Sequence, residues 1–406
     1  MHGLTKRIAL SAVAPLLLLA APPANAGNDI TVMTQNEYLG TDLTSLLQAP
    51  DAASFNAALV SALQQVAAAE FPKRVEDLAR PIAKRKPHLV ALQEVWSFHC
   101  VDLAGPIPGY GCDDPSIAGA FNDHLSATLA ALAASGAVYH AVATVENLDL
   151  RDVSLPGLPA GVPFEINGVP ALLIALDRDV ILARGDLVAA GHVEHATIPC
   201  VRPSGDGCNF QTYIEAVTPA GPLKVERGFV AVDATVDGNG YRFVNTHLEI
   251  YQPDPSNPVS GFYQAAQAGE LIQTLALTTP PDRTLIVAGD INSSPDHAGL
   301  PGPLPLPAPF DAGIATPYMQ FAYGGFVDVW TAQEEPKDGF TCCQLSDLSN
   351  RVNLLNERID MIFARDLPAA VKHVDLADKR ITGETAPPGS AVWPSDHAGL
   401  SAEILF

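Results

Sequence analysis

The run TLIVAGDINSSPD at 284–296 opens as an apolar, β-branched segment and breaks at Gly289 into Asp290 and Asn292. Its first half has the composition of a buried strand. In an extended chain, residues i and i+2 project to the same side, so both polar groups are expected to face one spot. The pattern recurs along the chain. DITVMTQN ends on Asn36, HLVALQEV puts Glu94 at a strand end, and RFVNTHLE delivers Asn245 and His247. ERIDMIF carries Asp360, and WPSDHAGLSAEI presents Asp396 and His397 just before a closing apolar run. One polar residue at a strand end is ordinarily a turn or a cap. Five further such ends, all Asp, Glu, Asn or His, point instead to one acidic, histidine-containing pocket, because charged groups are rarely buried unless paired or bound to metal.

The runs between these ends set the fold class. Helical spacing of apolar residues predicts helices over 52–69, 74–84, 118–135 and 261–277. Strands are expected at 29–34, 88–93, 138–145, 170–175, 180–183, 229–236, 242–246, 284–289, 359–364 and 401–405. Helices connect some strands, and a tight Asp237-Gly238-Asn239-Gly240 turn connects two others. The mixture implies an α/β protein with a mixed sheet, or two stacked sheets, and helices outside. No repeat or linker divides residues 27–406, which read as one domain. Two segments, 154–170 and 297–317, are loaded with Pro and Gly and read as surface insertions. A sharper reading makes them an apolar lip beside the site.

Residues 1–26 carry Lys6 and Arg7, an apolar run from Ile8 to Ala21, and Ala24-Asn25-Ala26. That is the pattern of a secretory signal peptide. The apolar run is short of the roughly 18 to 20 residues that a membrane span needs. The expectation is an exported protein, periplasmic or extracellular, with no transmembrane segment. Six cysteines fit that compartment. Cys100 with Cys112, and Cys200 with Cys208, bracket short loops and are the expected disulfides, while adjacent Cys342 and Cys343 either pair or stay reduced. The net charge of −22 and the lack of any basic run weigh against a tight grip on nucleic acid.

The series Glu94 in LQEV, His247 in NTHL, Asp290 and Asn292 in GDIN, Asp360 in RID and Asp396-His397 in SDH resembles the ordered motifs of the endonuclease/exonuclease/phosphatase superfamily. That family includes deoxyribonucleases, abasic-site endonucleases, sphingomyelinases and inositol-phosphate phosphatases. The resemblance implies a four-layer α/β sandwich, two packed mixed β-sheets flanked by helices. It also implies hydrolysis of a phosphodiester by an activated water, with Mg2+ (or Mn2+) as cofactor. By resemblance, Glu94 is the main metal ligand, with Asn36 and Asp396 close to the ion. His397 is the general base held by Asp360, Asp290 orients or deprotonates the water, and Asn292 and His247 contact the phosphate. Arg178, Arg227 and Tyr38 are weaker candidates for substrate contact, with an ion-pair role equally open for the arginines. Asp328 resembles a family position near the site or is structural.

The chain also departs from the family pattern. His88 stands where Asp is common, and FTCCQLSDLSN before ERID has no counterpart in the nucleases. The substrate therefore stays open between a lipid headgroup diester and nucleic acid, and no stable protein partner is implied. Calcineurin-like metallophosphatases are excluded by the missing GD-x-x-D-R and GNH motifs. A non-catalytic binding protein of the same fold is the rival from another class; retention of Glu94 and His397 speaks against it.

Overall fold

The computed structural model describes residues 29–154, 157–250, 259–306, 308–334, 336–377 and 391–406. The expected signal peptide, 1–26, lies outside the described residues. Among them, two eight-stranded mixed sheets pack face to face. The first runs in the order Ala370–Ala377, Gly399–Leu405, Asp29–Asn36, Leu89–Gln93, Val169–Arg184 and Ser97–Asp102, with Tyr139–Asp149 and Val162–Ile166 also on Val169–Arg184. The second runs Val327–Asp328, Asp360–Ala364, Thr284–Asp290, Asn239–His247, Gly228–Val236, Gly207–Asn209 and Pro203–Ser204, with Val193–His195 on Gly228–Val236. Each sheet contains one central parallel pair, Asp29–Asn36 with Leu89–Gln93 and Asn239–His247 with Thr284–Asp290.

Helices cover the outer faces. Phe71–Arg85 and His124–Ala134 put Ile82 and Leu132 against Met33, Val90 and Leu92 of the first sheet. Val259–Thr278 and Pro317–Tyr323 put Leu271 and Phe321 against Leu285, Val287 and Phe363 of the second. Helix Ala52–Ala68 packs Phe55, Leu59 and Leu63 on Phe98, Phe164 and Leu173. The result is helix, sheet, sheet, helix. With both faces of the central strands covered, their sequences are apolar throughout rather than alternating.

Alternation survives as a choice of core. Ile30, Val32, Leu89, Ala91, Tyr241, Phe243, Ile286, Ala288, Ile362 and Ala364 fill the space between the sheets. Their in-between neighbours face the helices. Burying each such large side chain is worth about 1.5–3 kcal/mol. One polar bridge crosses this layer: Asn245 donates to the carbonyls of Leu92 and Val180 at 2.8 and 3.0 Å and accepts from Gln93 at 2.7 Å. Asn245 thus ties the second sheet to the first.

Several expected boundaries move. The segments 170–175 and 180–183 are one sixteen-residue strand, Val169–Arg184, running straight through Asp177-Arg178-Asp179. Helix 118–135 starts only at His124, because Asp123 accepts from the Ser126 N–H and caps it there; Ala118–Ala120 is a separate 3-10 turn. The two Pro/Gly-rich segments are not free lips. Val162–Ile166 is a strand whose Val162, Phe164 and Ile166 are buried, and Leu300–Pro301 pairs with Gly313–Ile314. That second ribbon packs on helix Val259–Thr278, with Phe310 edge-on to Phe262 at 5.0 Å between centroids. Both expected disulfides, Cys100–Cys112 and Cys200–Cys208, are present, and Cys342 is joined to Cys343.

Candidate active site

The inter-sheet layer is apolar along most of its depth and polar at one end. Asp290 and Asp360 continue the inward-facing series 286–288 and 364–362 by one more step of two, and His247 continues 241–243 by two steps, past Asn245. Register then puts them abreast, since His247 pairs with Asp290 and Asp290 with Asp360. On the first sheet, Asn36 pairs with Gln93, one residue before Glu94. The strand-end residues therefore meet because the two faces of one cleft end together.

Contacts within the cluster are short. Asn36 Nδ2 donates to Glu94 Oε1 at 3.0 Å and to Asp290 Oδ2 at 3.3 Å. The second Glu94 oxygen accepts from the Leu39 N–H at 2.8 Å, and the oxygen of Asn36 accepts from the Tyr38 N–H. Asn36 thus bridges two carboxylates with its amide hydrogens. His397 Nδ1 lies 2.8 Å from Asp360 Oδ2, and its Nε2 lies 3.8 Å from Asp290 Oδ2 and 3.9 Å from Asp396 Oδ1. His247 Nε2 is 3.5 Å from the same Asp290 oxygen. Asp290 is the hub.

Asn292 reaches the cluster by a turn rather than along an extended strand. Its φ is +49°, its N–H donates to Asp290 Oδ1 at 2.9 Å, and its amide donates to the Leu248 carbonyl at 2.9 Å. Glu94 has φ +54°. Two non-glycine residues held in the left-handed region at one site mark backbone strain that the surrounding structure maintains.

Burial and charge set the protonation pattern. Burial, reinforced by Asp360, pushes Asp290 up to about 7 against the pull of His397. Burial likewise lifts Asp396 to about 7, again opposed by His397. For His397, burial disfavours the charge, but Asp360, Asp396 and Asp290 outweigh it and hold the ring well above the ordinary imidazole value. His247 goes the other way. Burial, then Arg227 and His397, keep it well below that value, hence neutral. Arg227 Nη1 sits 3.0 Å from His247 Nδ1. A guanidinium can only donate, so Nδ1 accepts and the His247 proton sits on Nε2, facing Asp290.

The weaker candidates separate. Arg178 Nη2 is engaged by Asp123 at 2.8 Å and its Nε by the Val95 carbonyl, an ion pair at the head of helix His124–Ala134. Arg227 is largely buried beside His247, and its Nε makes no hydrogen bond but faces Glu249 Oε2 at 3.8 Å as an ion pair. The Tyr38 hydroxyl donates to the Ser346 carbonyl, and its ring packs with Leu348 and Trp393. Asp328 is structural here: it pairs with Arg358 at 2.7 Å, accepts from the Tyr318 hydroxyl, and caps the Trp330 N–H.

Sequence reasoning missed Arg74. It is 1 % exposed, and its guanidinium donates to the carbonyls of Ala69, Glu37, Tyr38 and Pro394. It therefore locks the loop after Asn36 to the loop before Asp396. The signal was faint: one basic residue on the apolar face of an otherwise amphipathic helix. Asp177 and Asp179 were missed too. Both are buried, and burial raises both, Asp177 to about 7.

The profile of the endonuclease/exonuclease/phosphatase family matches residues 53–397. The chain belongs to that family. It is accordingly a metal-dependent hydrolase acting on phosphate ester bonds. The matched span takes in Glu94, His247, Asp290, Asn292, Asp360, Asp396 and His397, and Asn36 lies before it. A search of curated proteins gave no significant match. Among solved structures, the chain is similar to a family protein from Leptotrichia buccalis, at 15% identity and TM-score 0.43 over 93% of this chain and 100% of that one. It is also similar to truncated TDP2 from Caenorhabditis elegans, at 14% identity and TM-score 0.45 over 94% and 98%. A third is a mannosyl-6-phosphatase from Bacteroides thetaiotaomicron, at 15% identity and TM-score 0.47 over 93% and 100%. None of these likenesses carries an argument about substrate.

The donor set fits a hard divalent cation, which takes oxygen ligands and needs only one or two carboxylates with waters and substrate oxygens. Glu94, Asp290, Asp360 and Asp396 supply only oxygens, and Asp360 Oδ1 is buried without a hydrogen-bond partner.

Proposed function

We propose that this family member is an exported phosphodiesterase. It acts on a small or lipid-headgroup diester in preference to nucleic acid, and His397 and Asp290 activate the attacking water. Glu94 would hold the divalent ion, magnesium or manganese, with Asn36 and Asp396 alongside. Such an ion neutralises phosphate charge and polarises the ester. The observation that carries the reading is the His397–Asp360 contact at 2.8 Å beside Asp290. Asp360 fixes the ring so that Nε2 faces the cluster and favours its imidazolium form; with the surrounding carboxylates offset by a divalent ion, the ring would be free to take the water's proton. Asp290, already near neutrality in its affinity for protons, holds the water. His247 Nε2–H and the Arg227 guanidinium, whose Nε faces Glu249 at 3.8 Å, are donors for phosphoryl oxygens on the second-sheet side. The acidic composition and the absence of a basic run favour the non-nucleic substrate. The apparent signal peptide and the disulfides favour export.

The test uses residues 27–406 with sphingomyelin vesicles and plasmid DNA in parallel, with magnesium and then with chelator. Hydrolysis of the vesicles that chelator abolishes, and that His397→Ala lowers by about 10²–10⁴-fold, is the expected result. Chelator-sensitive cutting of DNA alone would overturn the substrate preference. Turnover that survives His397→Ala would remove that residue from the mechanism.

A further inference from the structure

The segment FTCCQLSDLSN has a place in the structure that the catalytic reading leaves unexplained. The Ala398 N–H donates to the Thr341 carbonyl at 2.7 Å, and the Gln344 N–H donates to the Asp396 carbonyl at 2.9 Å. The Thr341 hydroxyl oxygen accepts from the N–H groups of Ile359 and Asp360 at 3.1 Å each. Residues 341–344 are therefore clamped onto the backbone of both Asp360 and the Asp396–Ala398 stretch. This brings the sulfurs of Cys342 and Cys343 and a ring nitrogen of His397 within 4.8 Å of one another. Cys342 is 3 % exposed, while Cys343 is open to solvent.

We propose that the dithiol form of Cys342–Cys343, together with His397, is a binding site for a soft divalent cation such as zinc or cadmium, distinct from the oxygen-lined set at Glu94. Two thiolates and one imidazole are the ligand types such ions select, and a water completes a tetrahedron. The oxygen cluster is a poor rival for a thiophilic ion, and the sulfur pair is a poor host for magnesium. The two sites meet at His397, which one ring cannot lend to both. Filling the sulfur site therefore withdraws His397 from proton transfer, a consequence that rests on the functional reading above, whereas binding itself does not.

The site exists only after reduction, because the pair is joined in the structure. A dithiol reductant supplies two electrons and two protons, leaving two thiols here and its own disulfide. Cation uptake then releases the two thiol protons to solvent. Solvent exposure of Cys343 gives the reductant its point of attack.

The experiment reduces the mature chain with dithiothreitol, removes the reductant under nitrogen, and titrates with cadmium while following thiolate-to-metal absorption in the ultraviolet. The expected outcome is a one-equivalent component in the reduced protein that is missing from the oxidised protein. It should also be missing from the Cys342→Ser/Cys343→Ser double variant, which keeps the other four cysteines under the same treatment. His397→Ala should weaken the Kd by about tenfold or more, equivalent to about 1.4 kcal/mol, and Cys343→Ser, altered at an exposed position, should lose the component altogether. An unchanged component in the double variant, or an unchanged Kd in His397→Ala, would overturn the site. Binding without loss of turnover would leave the site standing and sink the base role of His397.

Discussion

At the scale of single residues, Arg178 and Arg227 show what spacing alone leaves undecided. Both follow or precede apolar strands, and in the sequence they are equivalent candidates for phosphate. The structure separates them by place: Asp123 holds Arg178 at 2.8 Å at the head of helix His124–Ala134, while Arg227, with Glu249 looser at 3.8 Å, orders the His247 tautomer inside the cluster. Arg227→Ala is expected to lower kcat by about a hundredfold, the cost of removing one preorganised donor. Arg178→Ala is expected to leave kcat within about twofold and to cost about 1 kcal/mol of stability at most, as for other partly exposed ion pairs. Steady-state kinetics with thermal melts of both variants decides the matter, and equal losses of kcat would refute the assignment. Asn292 gives the complementary lesson. Its identity was readable, but the extended geometry assumed for Asp290 and Asn292 fails, because a left-handed residue turns the chain and puts the Asn292 N–H onto Asp290.

At the scale of elements, period and composition locate most strands and helices, while their ends follow from contacts that no local pattern encodes. Val169–Arg184 looks like two strands because Asp177-Arg178-Asp179 interrupts the apolar run, yet pairing with Tyr139–Asp149 carries it through. Ala370–Ala377 carries no clear strand signal because Lys372, His373 and Asp375 interrupt its apolar residues and none of its positions is fully buried at this sheet edge. Arg74 belongs here as well, since its function is to join elements. Arg74→Leu would strand four carbonyls, at least some of them without water, and is expected to cost about 3 kcal/mol or more. It should also lower turnover by loosening Asn36 and Asp396. A denaturant midpoint equal to that of the wild type would show that the clamp is dispensable.

His88 fixes a second joint. Its N–H donates to the Thr31 carbonyl at 2.7 Å, and its Nδ1 accepts from the Thr31 N–H at 3.0 Å. Burial, then Arg184, lower its proton affinity, against Asp186, Asp237 and the Thr31 contact. A depressed folded value means that the unfolded chain binds the proton more tightly. The stability His88 contributes is thus present above the ordinary imidazole value and is lost as pH falls through its folded value. His88→Asn should flatten this part of the stability curve on the acid side of pH 6.5. Melts from pH 7.5 down to 5 that stay parallel for the two proteins would contradict it.

At the scale of the molecule, the site follows from a single rule applied to both sheets. Every second residue of each central strand enters the space between the sheets, apolar over the first steps and polar over the last one or two. That rule is visible in the sequence once the strands are found, which is why the acidic cluster was legible before the sheet order was. The order itself was not, because pairing partners as distant as Asp29–Asn36 and Gly399–Leu405 leave no local trace. Net charge is the one whole-molecule property that bears directly on substrate. With a charge of −22, the protein meets an anionic surface against repulsion that acts over about 10 Å at 0.1 M salt. On vesicles of a zwitterionic substrate lipid, replacing a fraction of the carrier lipid with an anionic one should therefore slow hydrolysis at low salt, and added salt should restore the rate. The reverse order, with anionic vesicles turned over faster and salt inhibiting, would mean that a local cationic surface outweighs the global charge. It would also reopen the case for a polyanionic substrate. Neutral vesicles at both salt concentrations, with magnesium held constant, separate this effect from any influence of salt on the metal.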